Sequence, residues 1–173
     1  MDDIFGRIMV IILGLMILFY VPTTIIAKKQ DTTAQSYIDN AVTEFVDNVR
    51  TTSVITEDAY EKMAKKIYTV HSPCKIMIYH GASYVTPDLN NTGEIKYHNE
   101  YYSEADILPI ILDESNPRDY ELKDGDYIKV VVYNETPTLG DRLLSFSIIN
   151  AYSNKSLFTS YGGYVGNNIE DRT

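Results

Sequence analysis

His71, Cys74 and His80 lie close together in the chain, and with His98 they are the side chains whose types could hold a transition metal or perform thiol chemistry. Imidazole nitrogens and a thiolate suit a zinc-like ion, and a Cys/His pair can serve as nucleophile and base. The spacing His-x2-Cys-x5-His carries little information, however, and no orienting signature accompanies it. The expected roles are therefore a small core thiol and histidines at strand ends. Glu57-Asp58, Asp113-Glu114 and Asp124-Gly125-Asp126 resemble carboxylate pairs or parts of calcium loops. None has the twelve-residue calcium pattern, so solvated faces and turns are expected. A Gly-rich phosphate loop and a Gly-x-Ser-x-Gly elbow are both missing from the sequence. Tyr97, Tyr101, Tyr102, Tyr161 and Tyr164 are candidates for an exposed aromatic surface that binds glycans or a partner, or else for sheet packing. Asn90-Asn91-Thr92, Asn134-Glu135-Thr136 and Asn154-Lys155-Ser156 match the glycosylation acceptor pattern. No catalytic, cofactor-binding or metal-binding residue is assigned, no cofactor is expected, and the chain is read as non-enzymatic.

The elements that would carry these side chains belong to one anchored domain, since 173 residues hardly supply two cores. A formal net charge of -9 opposes a grip on phosphate backbones, so nucleic acid is excluded as a partner. One cysteine allows no intramolecular disulfide. Fifteen tyrosines, spread among Val, Ile and Thr, suit half-buried strands.

From Ile8 to Ala27 no residue is charged, and about 20 residues at 1.5 Å each match the hydrocarbon thickness of a bilayer. The segment begins Met1-Asp2-Asp3 and runs into Lys28-Lys29, unlike a cleaved signal peptide, and reads as a retained anchor. Pro22 within it predicts a kink more than a stop. Gly14 would allow another helix to approach closely. Beyond the lysines, Ala34, Tyr37, Ile38, Ala41, Val42, Phe45, Val46 and Val49 recur three and four apart, which predicts an amphipathic helix over 31–50. Its apolar face is expected to cover the domain's own sheet, and its upper part to meet neighbouring copies as well. With no glycine or further proline between, one rod from about Ile4 to Arg50 is expected, roughly 70 Å long. The division is a membrane helix at 1–30 and a head at 31–173.

A second helix follows, with Thr56 as N-cap, Glu57 and Asp58 in its first turn and Lys65 and Lys66 in its last. Tyr60, Met63, Ala64 and Ile67 form its inner face. Strands are expected at Cys74–His80, closed by Gly81, at Asp126–Asn134, and at Ser156–Val165, where Gly162-Gly163 suggests a bulge or close backbone approach. Pro87 to Tyr102 reads as a loop or irregular hairpin. A brief helix containing Pro109 is expected at 103–112, and another from Arg142 to Ile149 with Asp141 as N-cap.

This plan, and the stretches AQSYIDNAVTEFVDNVR, TTSVITEDAYEKM, DGDYIKVVVYN and SYGGYVGN, resemble type IV pilins, the pilin-like proteins of Tad-type systems and a group of single-span proteins of Gram-positive bacteria. The resemblance implies an α+β fold, with a long N-terminal helix packed on a small antiparallel sheet. It also implies a structural subunit of a surface filament or of a secretion or conjugation apparatus. Its partners would be the lipid bilayer and other pilin-like or assembly-machine subunits, in homo- or hetero-oligomers. The resemblance places the head outside the cell membrane, although Lys28 and Lys29 outnumber Arg7 and by charge bias favour the cytoplasm. Pilins carry a basic leader ending in glycine and an acid early in the apolar segment. Here Gly6 precedes Arg7 but no acid occurs between Ile8 and Ala27, which points to a minor, initiating or unpolymerised role. The competing expectation is a monomeric, membrane-tethered ligand-binding or sensory domain.

Overall fold

A computed structural model describes residues 2–87, 95–113, 119–146 and 157–166. The absence of helix breakers between the two apolar patterns has its expected result: a single helix, α1, runs unbroken over Asp2–Thr52, about 76 Å at 1.5 Å per residue. Pro22 cannot donate to the carbonyl of Leu18, yet the helix continues through it. The next two hydroxyls turn back into the same turn, Thr23 donating to the Phe19 carbonyl at 2.7 Å and Thr24 to that of Tyr20 at 2.8 Å. α1 stops where Ser53 adopts a φ of 58° and its N–H closes on the Val49 carbonyl.

β1 is the short strand Val54–Ile55, and α2 spans Glu57–Val70. Thr56 caps α2 as expected, accepting from the Ala59 amide at 3.2 Å. Lys65 and Lys66, however, are not in its last turn, because the helix runs on to Val70. Instead Lys62 and Lys66 reach across to Glu44 of α1, at 2.9 and 2.5 Å. Lys66, then Lys62, pull the Glu44 carboxyl from 4.5 down to about 2. A carboxylate depressed in the folded state stabilises above its unfolded pKa and loses that contribution as pH falls through the folded value. The stability difference between the wild type and Glu44→Gln should therefore shrink from about pH 4.5 toward about pH 2. Urea denaturation across that range, at low and high salt, is the check, since the pair is exposed and screened.

The remaining elements are β2 (Cys74–Pro87), β3 (Ile95–Tyr102), α3 (Glu104–Ile111), β4 (Tyr120–Glu121), β5 (Tyr127–Asn134), α4 (Leu139–Phe146) and β6 (Phe158–Tyr164). The fold is α+β, a long N-terminal helix packed on small antiparallel sheets. The main sheet has the order β3-β2-β5-β6, and β1 pairs with β4 in a second, two-stranded sheet. Three expectations change here. β2 does not end at Gly81 but continues to Pro87, and its extension pairs with β3, so the region from 95 to 102 is strand. α4 begins at Leu139, and its cap is Thr138 rather than Asp141: Thr138 Oγ1 accepts from the Asp141 amide, and the Asp141 carboxylate accepts from the Thr138 amide. The Gly162-Gly163 pair makes no bulge, since register is unbroken from Tyr127↔Tyr164 to Tyr133↔Phe158. It is a close approach: a Cβ on Gly162 would lie 2.6 Å from the Ile128 carbonyl oxygen.

Alternation along β5 turns Ile128, Val130 and Val132 to one face of the sheet, where Ile76 and Ile78 of β2 join them. Against this face pack Ile38, Val42, Phe45, Val46 and Val49 of α1, Met63 and Ile67 of α2, and Ile107 and Ile111 of α3. Among the described residues the head is thus two layers, with helices packed on one side of the sheet.

Candidate functional site: the stalk and the open sheet face

From Ile4 to Phe19 every residue of α1 is exposed, Gly14 among them, and a Cβ at Gly14 would meet nothing within 4 Å. Pro22 is exposed too. Among the described residues α1 is the helix long and apolar enough to cross a membrane, and none of its most apolar window is buried. The same helix then becomes the spine of the core. Ile38, Ala41, Val42, Phe45 and Val49 are all buried. Tyr37 is not part of that face: it is 58% exposed, about 100° round the helix from Ile38.

What joins stalk to head is a polar seam along the edge strand β6. At one end Gln35 Nε2 donates to the Phe158 carbonyl at 2.8 Å and to Thr159 Oγ1 at 2.9 Å, while its Oε1 accepts from the Phe158 amide at 3.0 Å. Thr159 also donates to Asp39, and Tyr161 to Asp47. At the other end Arg50 Nε donates to the Tyr164 carbonyl at 2.9 Å, directly over Gly163, and the Arg50 carbonyl accepts from Gly166. Fifteen residues of helix and six of strand separate these fastenings, about 22 and 20 Å, so the two elements match in length. Backbone groups at both ends of the edge strand are engaged in the process. Gln35→Ala removes both backbone bonds at the lower end, and the expected loss is about 1–3 kcal/mol in chemical denaturation.

The opposite face of the sheet has no covering element among the described residues. Register places Tyr101, Gly81, Tyr127 and Tyr164 in one row across all four strands. The Tyr101 ring, 82% exposed, lies 3.5 Å from where a Gly81 Cβ would stand. Tyr127 and Tyr164 meet edge to face at 5.1 Å, and Tyr79, Lys129 and Gly162 form the next row. Of the tyrosines expected on the surface, Tyr101 and Tyr164 are there; Tyr102 and Tyr161 pack against the core, and the side chain of Tyr97 lies outside the described residues. Tyr79 and Tyr127 were not legible as part of the surface, because only cross-strand register brings them to it.

The histidines and the thiol do not converge. Among the described residues no three His, Cys, Asp or Glu side chains are grouped to hold a metal ion. Cys74 is buried, its thiol turned to the His71 carbonyl, and burial, then Glu135, pushes its pKa up, away from thiolate chemistry. His71 lies against the Thr136 carbonyl, and His98 stacks on Tyr84 at 5.5 Å. His80 enters an arrangement that spacing alone could not suggest: Nε2 is 2.9 Å from Asp126 Oδ2 and Nδ1 is 2.8 Å from the Tyr120 hydroxyl. Burial, then Tyr102, Asp106 and Asp126, holds the Tyr120 phenol at about 12, so it stands beside Nδ1 as a neutral hydroxyl. Asp126, expected on a solvated face or turn at the start of a strand, is buried and also accepts from the Lys123 amide at 2.8 Å. This chain of bonds ties β4 to the main sheet. Asp126→Ala leaves the amide and the imidazole without an acceptor, and a loss of about 1–3 kcal/mol is expected by thermal denaturation. Asn134 is buried with both side-chain atoms engaged, which closes it to glycosylation in the folded chain; the other two triplets lie outside the described residues.

The arrangement is that of an α+β domain fastened along a helix whose N-terminal part is apolar and bare. No family model, no curated protein and no solved structure matches the chain.

Proposed function

We propose that the protein is a membrane-anchored, pilin-like structural subunit of a surface filament or of a secretion or conjugation apparatus, with its head outside the cell membrane and no enzymatic role. The observation that supports this reading best is the continuity of α1: bare and apolar from Ile4 to Phe19, then the spine of the core from Ile38 to Val49. A single rod fastened at Gln35 and Arg50 carries a load between membrane and head without a hinge. Gly14, open on all sides, permits a neighbouring apolar helix to pack closely. Lateral assembly in the bilayer then uses the span itself, with other pilin-like or machine subunits as partners.

The test is disulfide crosslinking in membranes of the organism, with single cysteines walked from Leu13 to Ile17 in a Cys74→Ala background. Assembly through the span gives crosslinks with helical periodicity on the Gly14 side, and an unrelated apolar helix in place of the span abolishes them. The row Tyr101, Gly81, Tyr127 and Tyr164 favours a second reading, a tethered ligand-binding or sensory domain. On that reading the exchanged span is tolerated, and Tyr101→Ala with Tyr164→Ala abolishes function instead.

A further inference from the structure

Tyr20, Thr24, Ala27, Asp31, Ala34 and Ile38 recur at steps of three and four along α1, and each is at least partly covered. Between Ile4 and Ala27 the first three are the only covered residues, so something beside the head's core follows the stalk downward. That element is α4. At its start Thr138 Oγ1 donates to Asp31 Oδ2 at 2.9 Å. Two residues on, Gly140 lies so close that an added Cβ would collide with the Asp31 carboxylate and stand 3.6 Å from the Ala27 carbonyl carbon; Ala27 itself is 2% exposed. Farther down, the Tyr20 hydroxyl donates to the Leu143 carbonyl at 2.5 Å.

We propose that α4 is a second membrane element, which descends beside α1 from the headgroup level at Thr138 into the acyl chains at Leu143. This rests on the reading of Ile8 to Ala27 as a span. If those residues match a hydrocarbon layer of about 30 Å, Asp31 stands about 6 Å above its edge and Tyr20 about 10 Å below it. Thr138 and Leu143 are five residues apart, about 7.5 Å along α4, so with Thr138 held at Asp31 the Leu143 carbonyl lies a few ångströms inside the edge and the Tyr20 side chain rises to meet it. Close to its end, a helix has carbonyls without partners inside the helix, a severe cost in hydrocarbon; the Tyr20 phenol supplies one of them. The small pair Ala27 and Gly140 is the type of contact that lets helices approach where lipid removes the hydrophobic drive. Leu139 is 59% exposed, and Leu143 borders an open apolar groove of about 760 Å³ with Met16, Phe19 and Tyr20, a surface suited to a lipid acyl chain. Lys28 and Lys29 are exposed at the level where headgroup phosphates would lie.

The chain has no tryptophan, so one introduced residue reports its own depth. Full-length Ile12→Trp, Leu143→Trp, Leu139→Trp and Tyr101→Trp proteins would be reconstituted in phosphatidylcholine and phosphatidylglycerol vesicles with acyl chains brominated at defined depths. The expected loss of emission is strong from mid-chain bromines at Ile12→Trp, from upper-chain bromines at Leu143→Trp, weaker at Leu139→Trp, and absent at Tyr101→Trp, which acrylamide in the water quenches instead. If Ile12→Trp is quenched by bromines while Leu143→Trp and Leu139→Trp answer only to acrylamide, α4 lies outside the lipid and the proposal is overturned. If Ile12→Trp also answers only to acrylamide, the span reading falls and the proposal with it. Should Leu143→Trp lose its thermal transition, Leu139→Trp decides by the same criterion.

Discussion

Ile38→Asp is expected to unfold the head while leaving the chain in the membrane. Ile38 is 1% exposed, in the layer between α1 and the sheet. Its replacement forfeits about 1.5–3 kcal/mol of apolar burial and sets a carboxylate among the apolar side chains of the core. A single change above about 4–5 kcal/mol is exceptional, and burying an unpaired charge is among the few mechanisms that reach it. Against a typical domain stability of about 5–15 kcal/mol, most of the folded population is lost. Phe45→Asp should act the same way. Tyr37→Asp, one residue from Ile38 but exposed, should stay within about 0.5 kcal/mol. Circular dichroism melts of the detergent-extracted proteins test all three, with membrane fractionation showing that the anchor persists.

The converse is expected of Leu13→Arg combined with Met16→Arg. Both positions are exposed and lie outside the head's core, so the melting of the head should be unchanged in detergent. In a bilayer each arginine at the helix centre costs about 2.5–3.5 kcal/mol, enough together to shift the chain from the membrane pellet to the soluble fraction. Loss of head stability in this variant would mean that the lower helix packs on the domain after all. The two experiments divide one helix into an anchoring half and a folding half, and each half should fail alone.

Local chemistry made much of this legible in the sequence. The uncharged run before Lys28 and the three-and-four spacing after it describe two halves of α1, and the lack of a breaker joins them. Thr56 and Ser103 announce helices: the Thr56 hydroxyl accepts from an orphan amide of the first turn, and the Ser103 amide and hydroxyl both donate to the Asp106 carboxylate. β5 alternates as a half-buried strand should.

The features that escaped depend on contacts far apart in the chain. Gly81 has the signature of a strand end, yet it continues the strand because Tyr101 and Tyr127 flank it across the sheet. Asp126 has the signature of a turn, and its carboxylate is turned inward to His80, 46 residues away. β1 and β4, two residues each, have no periodicity to detect and exist only as partners of one another. Lys66 looks like a complement to a helix end and is instead half of a clamp on Glu44. The open tyrosine row follows the same rule: its members come from four strands, and only their register makes them neighbours.

The most direct test of a single lipid-rooted stalk is the distance between spin labels at Met16→Cys and Asn48→Cys in a Cys74→Ala background, measured by double electron–electron resonance in bilayers. Both sites are exposed, and 32 residues of helix separate them. An unbroken rod gives one narrow distribution near about 48 Å at 1.5 Å per residue. A broad or much shorter distribution would mean that the chain bends or unwinds between the bilayer and the head, and the stalk as described here would not exist.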